Sequence, residues 1–363
     1  MKILLSGGGT MGSVSPLLAV VDELRHREPN KHEFLWIGTE QGPEKEVVED
    51  YEIPFMGISA GKFRRYLSVE NFFDVFRFFK GSRQAKKILR EFQPAVVLTA
   101  GSYVSVPVAK AAARLRIPYV VHQQDVLVGL ANKIMAKKAS RITVSLQDSL
   151  KNFPKEKTVL TGNPLRSEML RGDRSLAKKI FGFSEDIATL LVMGGGTGAL
   201  VLNEWVVLSL VELTKKYQIL HIAGKGKEVP AEKIPSLPPF QKQRYKQYGF
   251  LTEEMKHAYA VADLVVCRAS FSSITELAHL GKPAILIPIP DSHQVDNAIW
   301  LKRNNSAFML DQKKLDANKF ASAIQTIFDH PGERNAVARN IKTLMQPDAA
   351  TKIITEIYRV AKR

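Results

Sequence analysis

Apolar residues in this chain recur in one order: a short β-branched run, a small or glycine-rich polar turn, then apolar positions at helical spacing. Runs at 2–6, 95–99, 118–121, 141–145 and 158–160, and again at 189–193, 218–223, 264–267 and 284–289, predict buried strands. Leu17, Leu18, Val21 and Leu24 form one helical face, with Ser15 placed to cap that helix and Pro16 at its first position. Further helices are expected from 106, over 129–138, from 199, over 274–280, and near 316–329, 335–344 and 351–362. Strands that alternate with helices imply βαβ crossovers, so the fold class is α/β with parallel sheets.

The pattern starts afresh midway. Gly7-Gly8-Gly9-Thr10-Met11-Gly12-Ser13 follows the first strand, and Gly194-Gly195-Gly196-Thr197-Gly198 follows the strand at 189–193. Each strand, glycine loop and helix builds a rim of main-chain N–H groups suited to an anion. No P-loop lysine follows the first loop. A length of 363 residues exceeds one ordinary core, so two domains are expected. Gly162 and Pro164 mark the hinge, which gives domains at 1–165 and 166–345.

The stretch 263–298 organises the second domain. A strand at 264–267, a polar turn at 268–273, a helix ended by Gly281 and a strand closed by Pro290 make one βαβ unit. Ligands of such sheets sit beyond the carboxyl ends of the strands, against helix N-termini. Ser270 to Ser273 and Asp291 to Gln294 therefore share a rim, with Glu276 expected in the first helical turn. A carboxylate there is either a favourable cap or an acceptor for both hydroxyls of a ribose whose phosphates lie on the amides.

Arg268-Ala269, Ser273 to Ala278, Leu280 to Pro288 and Pro290, followed by His293-Gln294 and Asn297-Ala298, resemble the nucleotide-binding half of the MurG family. These are lipid-linked N-acetylglucosaminyltransferases of the GT-B fold, so the resemblance implies two Rossmann-like domains with a cleft between them. It also implies that the last helix, about 346–363, packs back on the first domain. The implied reaction is inverting transfer of N-acetylglucosamine from UDP-GlcNAc to the 4-hydroxyl of undecaprenyl-diphospho-MurNAc-pentapeptide, in peptidoglycan synthesis. The implied UDP-GlcNAc contacts are Thr10, Met11, Gly12, Asp125, Arg166, Gly196, Thr197, Asn203, Leu251, Arg268, Phe271, Ser272, Ser273, Ile274, Thr275, Glu276 and Gln294. Another UDP-sugar lipid glycosyltransferase and a non-catalytic sugar-nucleotide-binding protein at the membrane are the alternatives.

The chain departs from the family at instructive places. Met11 and Ser13 stand where the loop has a glycine and a histidine, Ser102 where it has a glycine, and Gln123 where a glutamate is common. Inverting transfer needs an acceptor for the proton of the attacking hydroxyl. Ser13 has too high a pKa to serve unaided. Asp125, expected with His122 at a strand end facing the cleft, is the substitute base, with Ser13 as hydroxyl donor and Tyr103 in the second family-like loop as the third catalytic candidate.

Composition narrows the partners. Apolar content is 45% and charged content 24%, as in an ordinary globular protein, and net charge is +16. That charge implies an anionic partner. No zinc-finger or RNP-like spacing points to nucleic acid. The single cysteine and the absence of an H-E-x-x-H or D-x-D motif leave no metal site or cofactor to expect. No window suits a membrane span and no signal peptide is expected at the N-terminus. Residues 61–90, however, hold nine Lys or Arg against two acids, and seven of the chain's 30 aromatic residues.

Val69, Phe72, Phe73, Phe76 and Phe79 share a helical face expected to pack on the core. Phe78, opposite that face, with Lys62, Phe63, Arg64, Arg65 and Tyr66 before the helix, suits an anionic membrane surface. The expected location is the cytoplasmic face of the cell membrane, as a peripheral protein. The sequence leaves the oligomeric state open.

Overall fold

The computed structural model describes residues 1–61, 69–195 and 199–361. It divides into two units, Met1–Ser167 with Gln346–Arg363, and Glu168–Met345. The first holds one seven-stranded sheet. Its strands are β1 (Lys2–Ser6), β2 (Glu33–Thr39), β3 (Phe55–Ile58), β4 (Val96–Thr99), β5 (Tyr119–Gln123), β6 (Arg141–Val144) and β7 (Thr158–Leu160), in the order β3-β2-β1-β4-β5-β6-β7. The second holds β8 (Thr189–Met193), β9 (Gln218–Ile222), β10 (Tyr245–Tyr248), β11 (Leu264–Cys267), β12 (Ala284–Leu286) and β13 (Phe308–Met309), in the order β10-β9-β8-β11-β12-β13. Every pairing is parallel.

Both faces of each sheet are covered, which is why the strands read as unbroken apolar runs. Ile3 and Leu5 point into one core layer with Trp36, Val96 and Leu98; Leu4 points into the other with Ile37, Val97 and Val121. The strand order reverses between β1 and β4 in one sheet and between β8 and β11 in the other. At such switch points the loops leave in opposite directions and open a crevice, the place where parallel sheets bind ligands.

The C-terminal helix Ala349–Ala361 belongs to the first unit. Ile353, Ile354 and Ile357 are buried beside Leu17 and Val21 of the helix Ser15–Arg27. Arg141 at the start of β6 pairs with the buried Glu356 carboxylate at 3.0 Å. Tyr358 donates to Glu28 at 2.7 Å.

Two local expectations change. Ser15 is the first residue of its helix, not the cap, and bonds back to the Met11 carbonyl at 3.2 Å. The helix Val69–Phe92 seats on the core through Asp74, Gly81, Ser82, Ala85, Ile88 and Leu89. A Cβ on Gly81 would stand 1.8 Å from the Ser59 carbonyl oxygen, so only glycine permits this approach. The rotation that brings this narrow face inward turns Phe76 and Phe79 out, 60% and 57% exposed, against the expectation of a packed face. Phe78 is half-buried, with Lys110 Nζ 4.9 Å above its ring, so it is not the outward residue of the pair of faces. Lys62, Phe63, Arg64, Arg65 and Tyr66 lie outside the described residues.

Candidate functional site

In the second unit the helix Phe271–Leu280 begins at the switch point, directly after β11 and Arg268-Ala269-Ser270. Ser270 is its N-cap: the hydroxyl accepts the Ser273 amide at 3.3 Å, and the Ser270 carbonyl accepts the Ile274 amide at 3.0 Å. The amides of Phe271 and Ser272 keep no acceptor among the described residues, so the positive end of the helix is open there. Gly281 stops the helix with φ 61°.

The helix starts earlier than its apolar spacing implied, and this moves Glu276. It lies in the second turn, not the first, one turn above Ser272 on the partly exposed side of a helix whose other described residues up to Ala278 are buried. Its carboxylate accepts the hydroxyl of Tyr259 at 2.5 Å. Burial, then the Glu276 carboxylate, push the Tyr259 hydroxyl well above its ordinary pKa, so it stays a donor. Burial likewise raises the Cys267 thiol to about 12, with Glu276 adding to the effect, so this cysteine is inert packing. Two buried polar atoms remain without partners among the described residues here, Ser272 Oγ and Arg268 Nε. The Arg268 guanidinium otherwise donates to the Ile287 carbonyl at 2.9 Å and to Gln312 at 2.7 Å.

The other expected contacts in this unit divide. Gln294, on the helix His293–Arg303 capped by Ser292, accepts the Ile289 amide through Oε1 at 3.1 Å, leaving its NH2 as the donor. Phe271, Ile274 and Leu251 are buried core residues, and Thr275 bonds back to the Phe271 carbonyl at 2.7 Å; Ser273 carries the cap. Asn203 is engaged inside the fold. Its Nδ2 donates to the Ala223 and Lys227 carbonyls, both at 3.1 Å, and its Oδ1 accepts from His221 Nε2 at 3.0 Å. Gly196 and Thr197 lie outside the described residues.

In the first unit, Gly7 to Ser13 form a loop that the chain itself clamps. Ser13 Oγ accepts the Gly8 amide at 3.0 Å, and the Gly9 amide donates to Glu44 Oε2 at 3.0 Å. Trp36 Nε1 donates to the Gly7 carbonyl at 2.9 Å, Ser102 Oγ to the Gly8 carbonyl at 2.7 Å, and Gln124 Nε2 to the Gly12 carbonyl at 2.9 Å. The amides of Gly8 and Gly9 are thus already engaged, so the anion rim expected of this loop is narrower than its glycines suggested. Thr10 is exposed, and Met11 and Gly12 are partly buried. Tyr103 packs on the loop, close enough that a Cβ on Gly9 would meet its ring at 2.8 Å.

The family departures acquire physical reasons. Ser102 has φ 80°, a glycine-like conformation, and its hydroxyl anchors on Gly8 in compensation. Gln123 donates to the carbonyls of Asp125 and Leu127 at 2.7 and 3.1 Å, which a glutamate carboxylate could not do, while Asn132 donates to its oxygen at 2.7 Å. His122 does not face solvent with Asp125. It is inside β5, bonded to Thr143 at 2.9 Å and Asn163 at 2.8 Å, and burial lowers its pKa to about 4. Asp125 is half-buried in the loop after β5. Arg166 falls in the first unit, where it donates to the Tyr51 hydroxyl at 2.9 Å.

Sequence reasoning missed Glu44, Thr39, Gln124 and Tyr259. The apolar run at 34–37 before Thr39 and the Gly42-Pro43-Glu44 helix start carried a signal for the first two. Tyr259 carried none.

The glycosyltransferase family 28 N-terminal domain matches residues 3–144 and its C-terminal domain residues 189–353. A relative from Lachnoclostridium phytofermentans, named UDP-N-acetylglucosamine–N-acetylmuramyl-(pentapeptide) pyrophosphoryl-undecaprenol N-acetylglucosamine transferase, is 37% identical over 99% of both chains. A Bacillus subtilis protein of the same name is 38% identical over 100% of both. The chain belongs to the MurG family. It is a glycosyltransferase with two Rossmann-like domains, and MurG of Acinetobacter baumannii shares its GT-B fold at a TM-score of 0.73, 24% identity and 99% coverage of both chains. A UDP-GlcNAc 2-epimerase from Neisseria meningitidis has the same fold at a TM-score of 0.67 and 15% identity, covering 99% of this chain and 100% of its own. Among the described residues of this MurG-family chain no cluster of His, Cys, Asp and Glu could hold a metal ion, and no helix is long and apolar enough to cross a membrane.

Proposed function

We propose that the protein transfers N-acetylglucosamine from UDP-GlcNAc to the 4-hydroxyl of the muramyl sugar of undecaprenyl-diphospho-MurNAc-pentapeptide, with inversion. The acceptor oxygen attacks the anomeric carbon, the bond from that carbon to the UDP oxygen breaks, and UDP leaves with the electron pair. The observation that carries the donor side is the juxtaposition of open amides at Phe271 and Ser272 with Ser272 Oγ and Glu276 on one helix face. Amides and the helix dipole suit the diphosphate, and a carboxylate one turn further on suits the ribose hydroxyls. Arg268 and Gln294 of the same unit add donors, and Arg166 is a candidate phosphate donor of the first unit. Asp125 takes the proton of the attacking hydroxyl, and Thr10, Met11, Gly12 and Tyr103 line the loops of the first unit that receive substrate. Ser13 acts through the loop it closes.

The same reading puts the protein at the cytoplasmic face of the membrane. Exposed Phe76 and Phe79 sit among Arg77, Lys80 and Arg83, and exposed Leu127, Leu130 and Ile134 sit beside Lys133, Lys137 and Lys138. Apolar groups ringed by cations suit an anionic bilayer surface. Labelled UDP-GlcNAc with the lipid acceptor in detergent tests the function. Labelled lipid product with one UDP released per transfer is expected; transfer from a different UDP-sugar alone, or no transfer at all, would overturn it.

A further inference from the structure

A carboxylate that no part of the proposed chemistry uses lies beneath the glycine loop. Glu44 opens the helix Glu44–Asp50 and is completely buried. Its Oε1 accepts the Thr39 amide at 2.7 Å and the Thr39 hydroxyl at 2.5 Å, and its Oε2 accepts the Gly9 amide at 3.0 Å. No Lys or Arg among the described residues pairs with it. Three glycines make its chamber. A Cβ would stand 2.1 Å from its Oε1 at Gly8, 3.0 Å from the same oxygen at Gly38, and 2.0 Å from Oε2 at Gly42. The loop needs this support because its conformation is not one it would hold alone: Gly9 has φ 76°, and Gly8 and Gly9 give their amides inward.

We propose that Glu44 is a positioning residue, the bracket that fixes the glycine loop to the end of β2 and so sets where Thr10, Met11 and Gly12 stand. The chemistry explains the residue type. All three atoms facing the carboxylate are donors, so both oxygens must accept. Glutamine would turn an NH2 against either the Gly9 amide or the Thr39 donors, at nearly unchanged volume. The bracket also reaches Tyr103, because the Gly9 backbone it holds is the surface on which that ring rests. A shift of about 1 Å in a substrate-positioning group can lower the rate by about 10²-fold.

The assignment of a role in turnover rests on the transferase reading, so the test has one arm that does not. Hydrogen exchange of the segment 7–13 is compared in the parent and in Glu44→Gln, with urea unfolding as the check on folding. Faster exchange confined to that segment is expected, together with kcat lowered by about 10²-fold at most and an unchanged affinity for UDP by calorimetry. Glu44→Asp should recover part of the rate, since it restores two accepting oxygens. Should Glu44→Gln not fold, Thr39→Val removes one donor from Oε1 and should move exchange and kcat in the same direction by less. Parent-like exchange in the loop would overturn the bracket whatever the activity. Faster exchange with parent-like kcat would overturn its role in turnover, and a parent that transfers nothing would overturn the functional reading while the exchange arm still decides the bracket.

Discussion

The hydroxyl of Tyr259 donates to the Glu276 carboxylate at 2.5 Å, from a site where the tyrosine is wholly buried and the glutamate only partly so. Oε2 of Glu276 is thereby held by a donor from the core side of the helix. A partly buried carboxylate is thus held in place as an acceptor.

Glu276→Ala should therefore weaken UDP binding. Charge-assisted hydrogen bonds contribute about 1.5–3 kcal/mol, so a loss of about tenfold to a hundredfold is expected in a calorimetric titration. The variant should also unfold more easily, by about 1–3 kcal/mol, because Tyr259 would keep only the Met193 sulfur at 3.5 Å. Lower stability with unchanged UDP affinity would show Glu276 to be a partner of Tyr259 and nothing more.

Ser13 and Asp125 should separate into a structural and a chemical role. Ser13→Ala strands the Gly8 amide and should lower stability by about 1–3 kcal/mol, with a modest loss of rate. Asp125→Ala should lower single-turnover transfer by about 10²–10⁴-fold, the range of general-base assistance. If Ser13→Ala abolishes transfer while Asp125→Ala retains it, the two roles are reversed.

Membrane association should depend on outward aromatic groups as well as on charge. Phe76→Ser with Phe79→Ser removes two exposed rings, so the fold should be unaffected while flotation with anionic vesicles falls. A variant with Lys62, Arg64 and Arg65 all changed to alanine should lose about 1 kcal/mol of binding for each cation near the headgroups. Binding by the parent should weaken from 0.1 to 1 M salt, as the Debye length falls from about 10 to about 3 Å. Equal flotation of all three proteins would refute the assignment.

Acid should destabilise the fold through two buried histidines. Burial lowers the pKa of His122 and of His221 to about 4, below the ordinary 6.5 of the unfolded chain. As pH falls through 6.5 toward 4 the unfolded state takes up protons that the folded state does not, so stability present at pH 7 is lost across that window. At pH 5 each histidine should contribute a loss of about 2 kcal/mol relative to pH 7. Urea unfolding at the two pH values measures the sum. A His122→Gln variant should show a smaller difference between them than the parent, and an equal difference would refute the contribution of His122.

Much of the architecture was written locally. Strands buried on both faces must be continuous apolar runs, so 2–6, 189–193 and 264–267 announced β1, β8 and β11, and glycine loops after two of them announced the switch points. The motif around Glu276 was legible for the same reason: strand, polar cap, helix and glycine stop lie within one stretch of chain. Tertiary structure decided what depends on distant partners. The start of the helix at Phe271 put Glu276 a turn further on, and only packing against Ser59 showed which side of the helix Val69–Phe92 faces inward. His122 read as a rim residue until Thr143 and Asn163 were found around it, and Glu44 went unread because Gly8, Gly38 and Gly42, which enclose it, come together only in the fold. Periodicity reports which face of an element is apolar. A buried polar group is instead specified by the donors that meet it, and those are brought together from residues far apart in the chain.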